Sequence, residues 1–346
     1  MTPTPTLAAP VHDPSAPTAP GSSVQEGRAV DVSVLVPAKD EAENLPLFME
    51  QAAAAFAADP GVRYEVVVVD DGSDDDTWAV LQQLATRYPF LRMARHRARR
   101  GIADGLRTGY LHARGDTLVF YPADLQFKPE DIPRLVAPIL AGESDMVTGF
   151  KQGKYEKAFV SRIYNRLSRA LFDVRVKDLN NVKAYRREIM AGLPIRPDWH
   201  RYMIVIAAAQ GYSVSEIPVP LYPRHAGRSK FGIGRIPVGV LDMLSVWFEL
   251  RFGRKPLLLF GMAGAGLFAL GVLLGLGALA WLAATGVGLR WVWTIVTTCV
   301  IVGVVLFVGG LLGELIAGMR AELAELRREL DESRAARTVR PPDGAR

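Results

Sequence analysis

Two stretches of this chain carry no charged side chain: residues 257–289 and residues 291–313, with Arg290 alone between them. A helix needs about 20 apolar residues to cross the ~30 Å hydrocarbon core of a bilayer. Both stretches exceed that length, and a buried core helix of that length without one charge is a weak alternative. In lipid every backbone N–H and C=O must be satisfied inside its own segment, so two spanning helices are expected, at about 257–285 and 291–317. Trp281, Trp291 and Trp293 flank the short connection, where interfacial aromatic residues sit. Arg251, Arg254 and Lys255 precede the first span and Arg320 follows the second, while the connection holds only Arg290. The positive-inside rule then predicts a multi-pass cell-membrane protein whose large N-terminal part and both termini are cytoplasmic.

The rest of the chain divides by composition. Residues 1–28 are rich in Pro, Ala, Thr and Ser with almost no large apolar residues, which predicts a disordered tail. They lack the basic start and apolar centre of a secretory signal. From residue 31 four short apolar runs follow: Val32 to Pro37, Tyr64 to Val69, Asp116 to Tyr121 and Asp145 to Phe150. Near-continuous β-branched runs suit strands covered on both faces, as in a parallel sheet. Helical segments are expected from Glu43 to Ala58, Asp74 to Tyr88 and Gly101 to Ala113. The alternation predicts a doubly wound, mainly parallel α/β domain over residues 29–232, with ligands at the carboxyl ends of its strands.

Residues 151–187 hold eleven Lys or Arg against three acids. Phe159, Val160, Ile163, Tyr164, Leu167, Ala170 and Leu171 recur there at helical spacing, beside a stripe of Arg162, Arg166 and Arg169. This basic amphipathic helix suits an anionic membrane surface, and equally a solvated helix packed on the sheet. A second amphipathic segment fills residues 233–255, the spans fill 256–318, and a charged helical tail fills 319–346. Leu323, Leu326 and Leu330 lie at helical spacing in that tail, which leaves two readings: pairing between copies, or a solvated helix. Homo-oligomers through the spans and this tail are one expectation.

The net charge of +5 does not call for nucleic acid, and the single Cys299 excludes a disulfide scaffold. No Walker loop is present and no Gly-x-Gly-x-x-Gly follows a strand, which disfavours ATPases and dinucleotide enzymes. The five histidines show no metal-ligand spacing. What stands out is acid at three strand ends: Lys39-Asp40-Glu41, Asp70-Asp71-Gly72-Ser73 and Ala123-Asp124-Leu125-Gln126. Carboxylates there can accept nucleobase or ribose protons, or hold a divalent cation through oxygen. Asp124 and Gln126, two residues apart in an extended segment, share one side and could share a metal. Taken alone, Asp124 reads better as a polar turn before the helix start at Lys128-Pro129-Glu130-Asp131; three acidic strand ends side by side favour a nucleotide–metal site. Further on, Arg224-His225-Ala226-Gly227-Arg228-Ser229-Lys230 combines cations, a hydroxyl and a glycine in a phosphate cradle, or a loop that meets lipid headgroups.

Together these motifs resemble the family-2 glycosyltransferases of the polyprenyl-phosphate type, such as the dolichol-phosphate mannose synthases and bacterial undecaprenyl-phosphate glucosyltransferases. The resemblance covers about residues 31–320 and rests on Val36 to Asn44, Val69 to Ser73, Ala123 to Gln126 and Arg224 to Phe231, with Gly101 to Gly109 and Lys177 to Asn181 in support. It implies a GT-A-like fold, an inverting transfer and a nucleotide-sugar donor of the GDP-mannose or UDP-glucose type. It implies a polyprenyl phosphate as acceptor, bound at the cytoplasmic membrane face. Pro37, Ala38, Glu41, Asp70 and Asp71 would hold base and ribose, and Asp124 and Gln126 would hold Mg²⁺ or Mn²⁺ on the diphosphate. Arg224, Arg228, Ser229 and Lys230 would grip donor and acceptor phosphates, with Asp124, Arg224, Arg228 and Lys230 carrying the catalysis. Lys151, Lys157 and Arg162 are candidates for the acceptor phosphate. One position departs from the family pattern, Pro122 standing where an Asp is usual. That departure supports a competing reading, a non-catalytic membrane scaffold. A processive polysaccharide synthase is the other alternative, but the chain has no Gln-x-x-Arg-Trp motif.

Overall fold

The computed structural model describes residues 30–152, 171–172, 176–179, 181–193, 199–226, 236–253 and 255–339. The chain forms two compact units. The first comprises residues 1–152, 181–197 and 214–227, and the second 153–180, 198–213 and 228–346. The expected disordered tail at 1–28 and the basic helix between 153 and 170 lie outside the described residues.

In the first unit β1 (Val32–Ala38), β2 (Tyr64–Asp70), β3 (Leu91–Arg95), β4 (Thr117–Phe120), β5 (Met146–Gln152), β6 (Lys183–Arg186) and β7 (Val214–Pro220) make one sheet. Its order is β3-β2-β1-β4-β6-β5-β7. Only β6 runs antiparallel to its neighbours, so six carboxyl ends share one edge. Successive side chains on a strand face opposite ways. Val34, Val36, Val66 and Val68 enter the cluster formed with α1 (Leu45–Ala57), α2 (Thr77–Arg87) and α4 (Ile132–Leu140). Leu35 and Val69 meet α3 (Ile102–His112), where Gly109 lets the helix approach. With helices on both faces, the central strands have no polar side to show, which is why their sequences read as unbroken apolar runs.

Three strands were not among the four expected from the sequence: β3, β6 and β7. The expected helices are present with ends shifted by one to three residues, and α5 (Arg187–Gly192) follows β6. At the amino end of the sheet a buried polar cluster closes the structure. Ser33 Oγ donates to Glu65 Oε1 at 2.6 Å and accepts from Gly115 N at 2.8 Å, and Arg114 N donates to the same Glu65 oxygen at 2.6 Å. These groups satisfy one another far from the ligand edge, and we assign them to stability alone.

In the second unit α6 (Met203–Ala209) precedes α7 (Ile236–Phe252), and the Tyr202 hydroxyl donates to Gly239 O at 3.1 Å. Two long helices follow, α8 (Pro256–Thr285) and α9 (Arg290–Val339). Their apolar windows are each only 17% buried inside the protein, unlike the core helices of a soluble fold, and both are long and apolar enough to cross a membrane. They pack backbone to backbone. A Cβ on Gly264 would lie 2.6 Å from Gly303 O and from Phe307 N. Small residues allow this approach where no hydrophobic effect drives helices together. Glu314, the sole acid in the apolar part of α9, accepts from Leu257 N at 3.3 Å and so caps the first turn of α8.

Gly264→Val should therefore push the two helices apart, at a cost of about 1–3 kcal/mol typical of overpacking. Gly266, with nothing within 4 Å of its built Cβ, is the control. Thermal unfolding in detergent should show a lowered midpoint for Gly264→Val and an unchanged one for Gly266→Val.

Candidate active site

Three loops meet at the carboxyl edge. After β1 the chain turns through Asp40 in the left-handed region (φ 55). It is tied to the loop after β2: Asp40 N donates to Ser73 Oγ at 2.9 Å, Asp74 N donates to Asp40 Oδ1 at 3.0 Å, and Glu41 N donates to Thr77 Oγ1 at 2.9 Å. Lys39 bridges Asp40 and Asp74 at 2.8 and 2.7 Å. The Asn44 side chain donates to Glu41 Oε2 and, at 3.4 Å, to Ala226 O, so the loop after β7 reaches the start of α1. Pro37 and Ala38 end β1 directly below this meeting point, and Gly105 of α3 approaches Pro37 closely.

The two aspartates that end β2 do different work. Asp70 is fully buried; Oδ1 accepts from Ser73 N at 2.8 Å. Its Oδ2 is ion-paired with Arg95 Nε at 3.0 Å, which ties the end of β2 to the end of β3. Asp71 instead is spent on the chain itself. Oδ1 takes His96 Nδ1 and Arg100 N, each at 2.8 Å, and Oδ2 takes Gly101 N at 2.7 Å. His96 Nε2 continues to Thr108 Oγ1 at 2.8 Å. Asp71 thus clips the β3–α3 loop, which passes so close to Gly72 (φ 67) that a Cβ there would lie 2.7 Å from Ala98 C. Arg95, His96, Arg97, Ala98 and Arg100 line a cationic hollow of about 390 Å³ beside it.

His96 gave no sign in the sequence; it is 6% exposed and holds both partners from the position just past β3. His96→Ala would leave a buried acceptor and the Thr108 hydroxyl without their partner, at about 1–3 kcal/mol. We expect a lowered melting midpoint and, at temperatures where the protein stays folded, a raised KM for donor. His96→Gln, which keeps one polar end, should recover part of both.

At the end of β4 the chain runs through buried Tyr121, whose hydroxyl donates to Lys128 O at 2.6 Å, then Pro122, Ala123, Asp124, Leu125 (φ 58) and Gln126. Tyr222 N donates to Gln126 O at 2.9 Å, which lays the loop after β7 along this turn. Arg224 is thereby delivered to both residues expected to bind metal. Its Nη2 lies 2.8 Å from Asp124 Oδ2 and 3.3 Å from Gln126 Oε1. Asp124 Oδ1 accepts from Gln126 N at 3.2 Å. Burial pushes the Asp124 carboxyl above the ordinary aspartate range, and the Arg224 charge and the Gln126 N–H pull it partly back.

Two oxygens from different side chains thus converge on one cationic nitrogen. That nitrogen is a stand-in for a cation, so the donor set fits a hard metal ion. No group of three or more His, Cys, Asp or Glu side chains is placed to hold a metal among the described residues. Mg²⁺ commonly takes only one or two protein carboxylates and completes its shell with substrate phosphates and water. Lys151 lies in β5 opposite Val219 of β7, near the same edge. Exposed His225 follows Arg224. Arg228, Ser229, Lys230, Lys157 and Arg162 lie outside the described residues.

The sequence pattern described as "Glycosyl transferase family 2" matches residues 33–196. The dodecaprenyl-phosphate galacturonate synthase of Rhizobium johnstonii is 29% identical over 84% of this chain and 88% of its own length. The undecaprenyl-phosphate 4-deoxy-4-formamido-L-arabinose transferase of Klebsiella pneumoniae is 30% identical over 71% of this chain and 74% of its own length. Among solved structures, glucosyl-3-phosphoglycerate synthase from Mycobacterium tuberculosis, in complex with Mn²⁺ and UDP-glucose, superposes with a TM-score of 0.51. It is 21% identical over 66% of this chain and 84% of its own, a likeness of fold.

Proposed function

The chain belongs to glycosyl transferase family 2, and from that premise we propose that it moves a sugar from a nucleotide-sugar donor to a polyprenyl phosphate at the cytoplasmic membrane face. The observation that carries the reading is the convergence of Asp124 and Gln126 on one cation position at the carboxyl edge. Relatives named for dodecaprenyl- and undecaprenyl-phosphate, and the two lipid-facing helices, support the acceptor class. GDP-mannose and UDP-glucose are the leading donors.

Pro37, Ala38 and Glu41 take the ribose and base, with Asp70, ion-paired to Arg95, beside them at the end of β2. Asp71 acts through the loop it clips, setting the position of Arg97 and Arg100. Asp124 and Gln126 would hold Mg²⁺ or Mn²⁺, which when bound neutralises charge on the leaving nucleoside diphosphate. The metal and the Arg224 guanidinium are alternatives at that point, so donor binding frees Arg224 for phosphate. Arg224, with Arg228, Ser229 and Lys230, then grips donor and acceptor phosphates, and Lys151, Lys157 and Arg162 assist at the acceptor.

An acceptor phosphate oxygen is already anionic and attacks the anomeric carbon without a general base. The bond from that carbon to the diphosphate oxygen breaks as the new one forms, and the centre inverts. Both the departing and the arriving phosphate need fixed positive charge, which is where the Arg and Lys side chains act. Arg251, Arg254, Lys255 and Arg320 support a cytoplasmic placement of the catalytic domain and both termini.

The test is a panel of labelled nucleotide sugars given to membranes with polyprenyl phosphate. A chloroform-soluble labelled product is expected from one donor. Insoluble polymer, or no turnover with any donor, overturns the reading.

A further inference from the structure

Helix α9 does not end where its apolar stretch ends. It runs unbroken for 50 residues, about 75 Å at ~1.5 Å per residue, against a hydrocarbon core of ~30 Å. Its final third therefore stands clear of lipid. A single apolar stripe continues into this third. Leu312, Ile316, Met319, Leu323, Leu326 and Leu330 alternate at spacings of four and three, the a and d positions of a heptad. Met319, Leu323 and Leu326 are 61%, 55% and 54% exposed, beyond the reach of the bilayer that covers the same stripe lower down. The residues facing α8, among them Gly303, Gly310 and Gly313, lie on another side of the helix, so α8 does not cover the stripe.

The charges beside the stripe choose its occupant. In this register Arg320, Arg327 and Arg334 take the e positions, and Glu322 and Glu329 take the g positions. In a parallel pair each g position meets the e position of the following heptad on the other strand. That sets Glu322 against Arg327 and Glu329 against Arg334, opposite charges in both cases. An antiparallel pair would set g against g and e against e, Glu against Glu and Arg against Arg. Two copies in one membrane leave it on the same side and so can meet only in parallel, the arrangement the charges favour. We propose that the segment from Met319 to about Ser333 is a parallel coiled coil with a second copy of this chain. It joins catalytic domains in pairs at the membrane, and it is independent of the reaction they perform.

Disulfide trapping in native membranes tests this. Cys299 is replaced by Ser, and a single cysteine is placed by Leu326→Cys at a d position or by Ala321→Cys at an outward f position. A symmetric parallel pair brings the same d residue of both copies within disulfide reach. Mild oxidation should convert the Leu326→Cys protein to covalent dimer and leave the Ala321→Cys protein monomeric. Adding Glu322→Lys and Glu329→Lys to the first should abolish the dimer, and adding Arg327→Glu and Arg334→Glu as well should restore it. The restoration excludes a misfolded tail as the cause of the loss. Equal trapping at both positions, indifference to charge reversal, or no trapping at Leu326→Cys overturns the proposal; the last of these would give the stripe to lipid or to a different protein.

Discussion

Asp124→Asn should lower sugar transfer by about 10³-fold while the protein remains folded and membrane-bound. A metal's stabilisation of transition-state charge is worth several kcal/mol, and each ~1.4 kcal/mol is tenfold. Asp124 supplies the one carboxylate at the point where Gln126 also converges, and with Pro122 two residues earlier there is no second carboxylate within the motif to take over. Asn keeps the shape and an oxygen but removes the charge. Stability should move little, because two effects oppose. Burial raises the pKa of Asp124 above its unfolded value, so the buried charge costs stability above the native pKa, and the cost is relieved as pH falls through it. Asn removes that cost at neutral pH, but it leaves the Arg224 guanidinium without its ion pair. Wild-type transfer should also be lost on chelation and regained with Mg²⁺ or Mn²⁺. Near wild-type turnover in Asp124→Asn, with unchanged melting, would sink the metal assignment and the reading of the β4 end with it.

Much of this architecture is legible from the sequence, and the omissions have physical causes. The strands β1, β2 and β4 are covered on both faces, so their composition alone declares them. β3 lies at one edge of the sheet and its Leu91-Arg92-Met93-Ala94-Arg95 is half polar. β7 lies at the other edge and carries Pro218 and Pro220, residues that an edge strand tolerates but that argue against a strand in the sequence alone. β6 opens on Lys183, a fully buried lysine that no pattern rule would place in a sheet. The two long apolar helices stand out in the sequence because the thickness of a bilayer sets the length of an uncharged stretch directly.

The site divides the same way. Asp124 and Gln126 are local in sequence, but the extended alternation expected to put them on one side is absent: they lie in a turn past the end of β4, with Leu125 at φ 58, and meet through Arg224. The partnerships of Arg224 with Asp124 and of His96 with Asp71 bridge 100 and 25 positions. Side chains that meet only through topology leave no periodic trace, and Asp71 illustrates the consequence. By motif it stands with Asp70 as a ligand for base and ribose; in the structure its two oxygens hold His96, Arg100 and Gly101. One strand end thus supplies both an ion pair to β3, through Asp70, and the clip for the loop that follows it, through Asp71.

Arg224→Gln should separate two roles of one cation. Loss of a preorganised positive donor to a developing oxyanion costs about 10²-fold or more in turnover, and that is the fall expected when Arg224 no longer grips phosphate. The second effect lies in the pH profile. In the donor-free enzyme the Arg224 charge is the largest influence that lowers the Asp124 pKa against the burial that raises it. Remove the charge and burial acts with less opposition, so the carboxyl holds its proton to higher pH. The acid limb of kcat/KM, which reports groups of the free enzyme, should therefore move to higher pH in Arg224→Gln. Arg224→Lys keeps a positive charge but loses the planar fork that now spans Asp124 and Gln126. It should hold the acid limb near the wild-type position while turnover still falls. If Arg224 only shielded Asp124 in the resting enzyme, the limb would shift with turnover at high pH intact. If it only gripped phosphate, turnover would fall with no shift. Both changes together are the expected result if, as proposed, the guanidinium that now pairs with Asp124 and Gln126 meets phosphate once the donor binds.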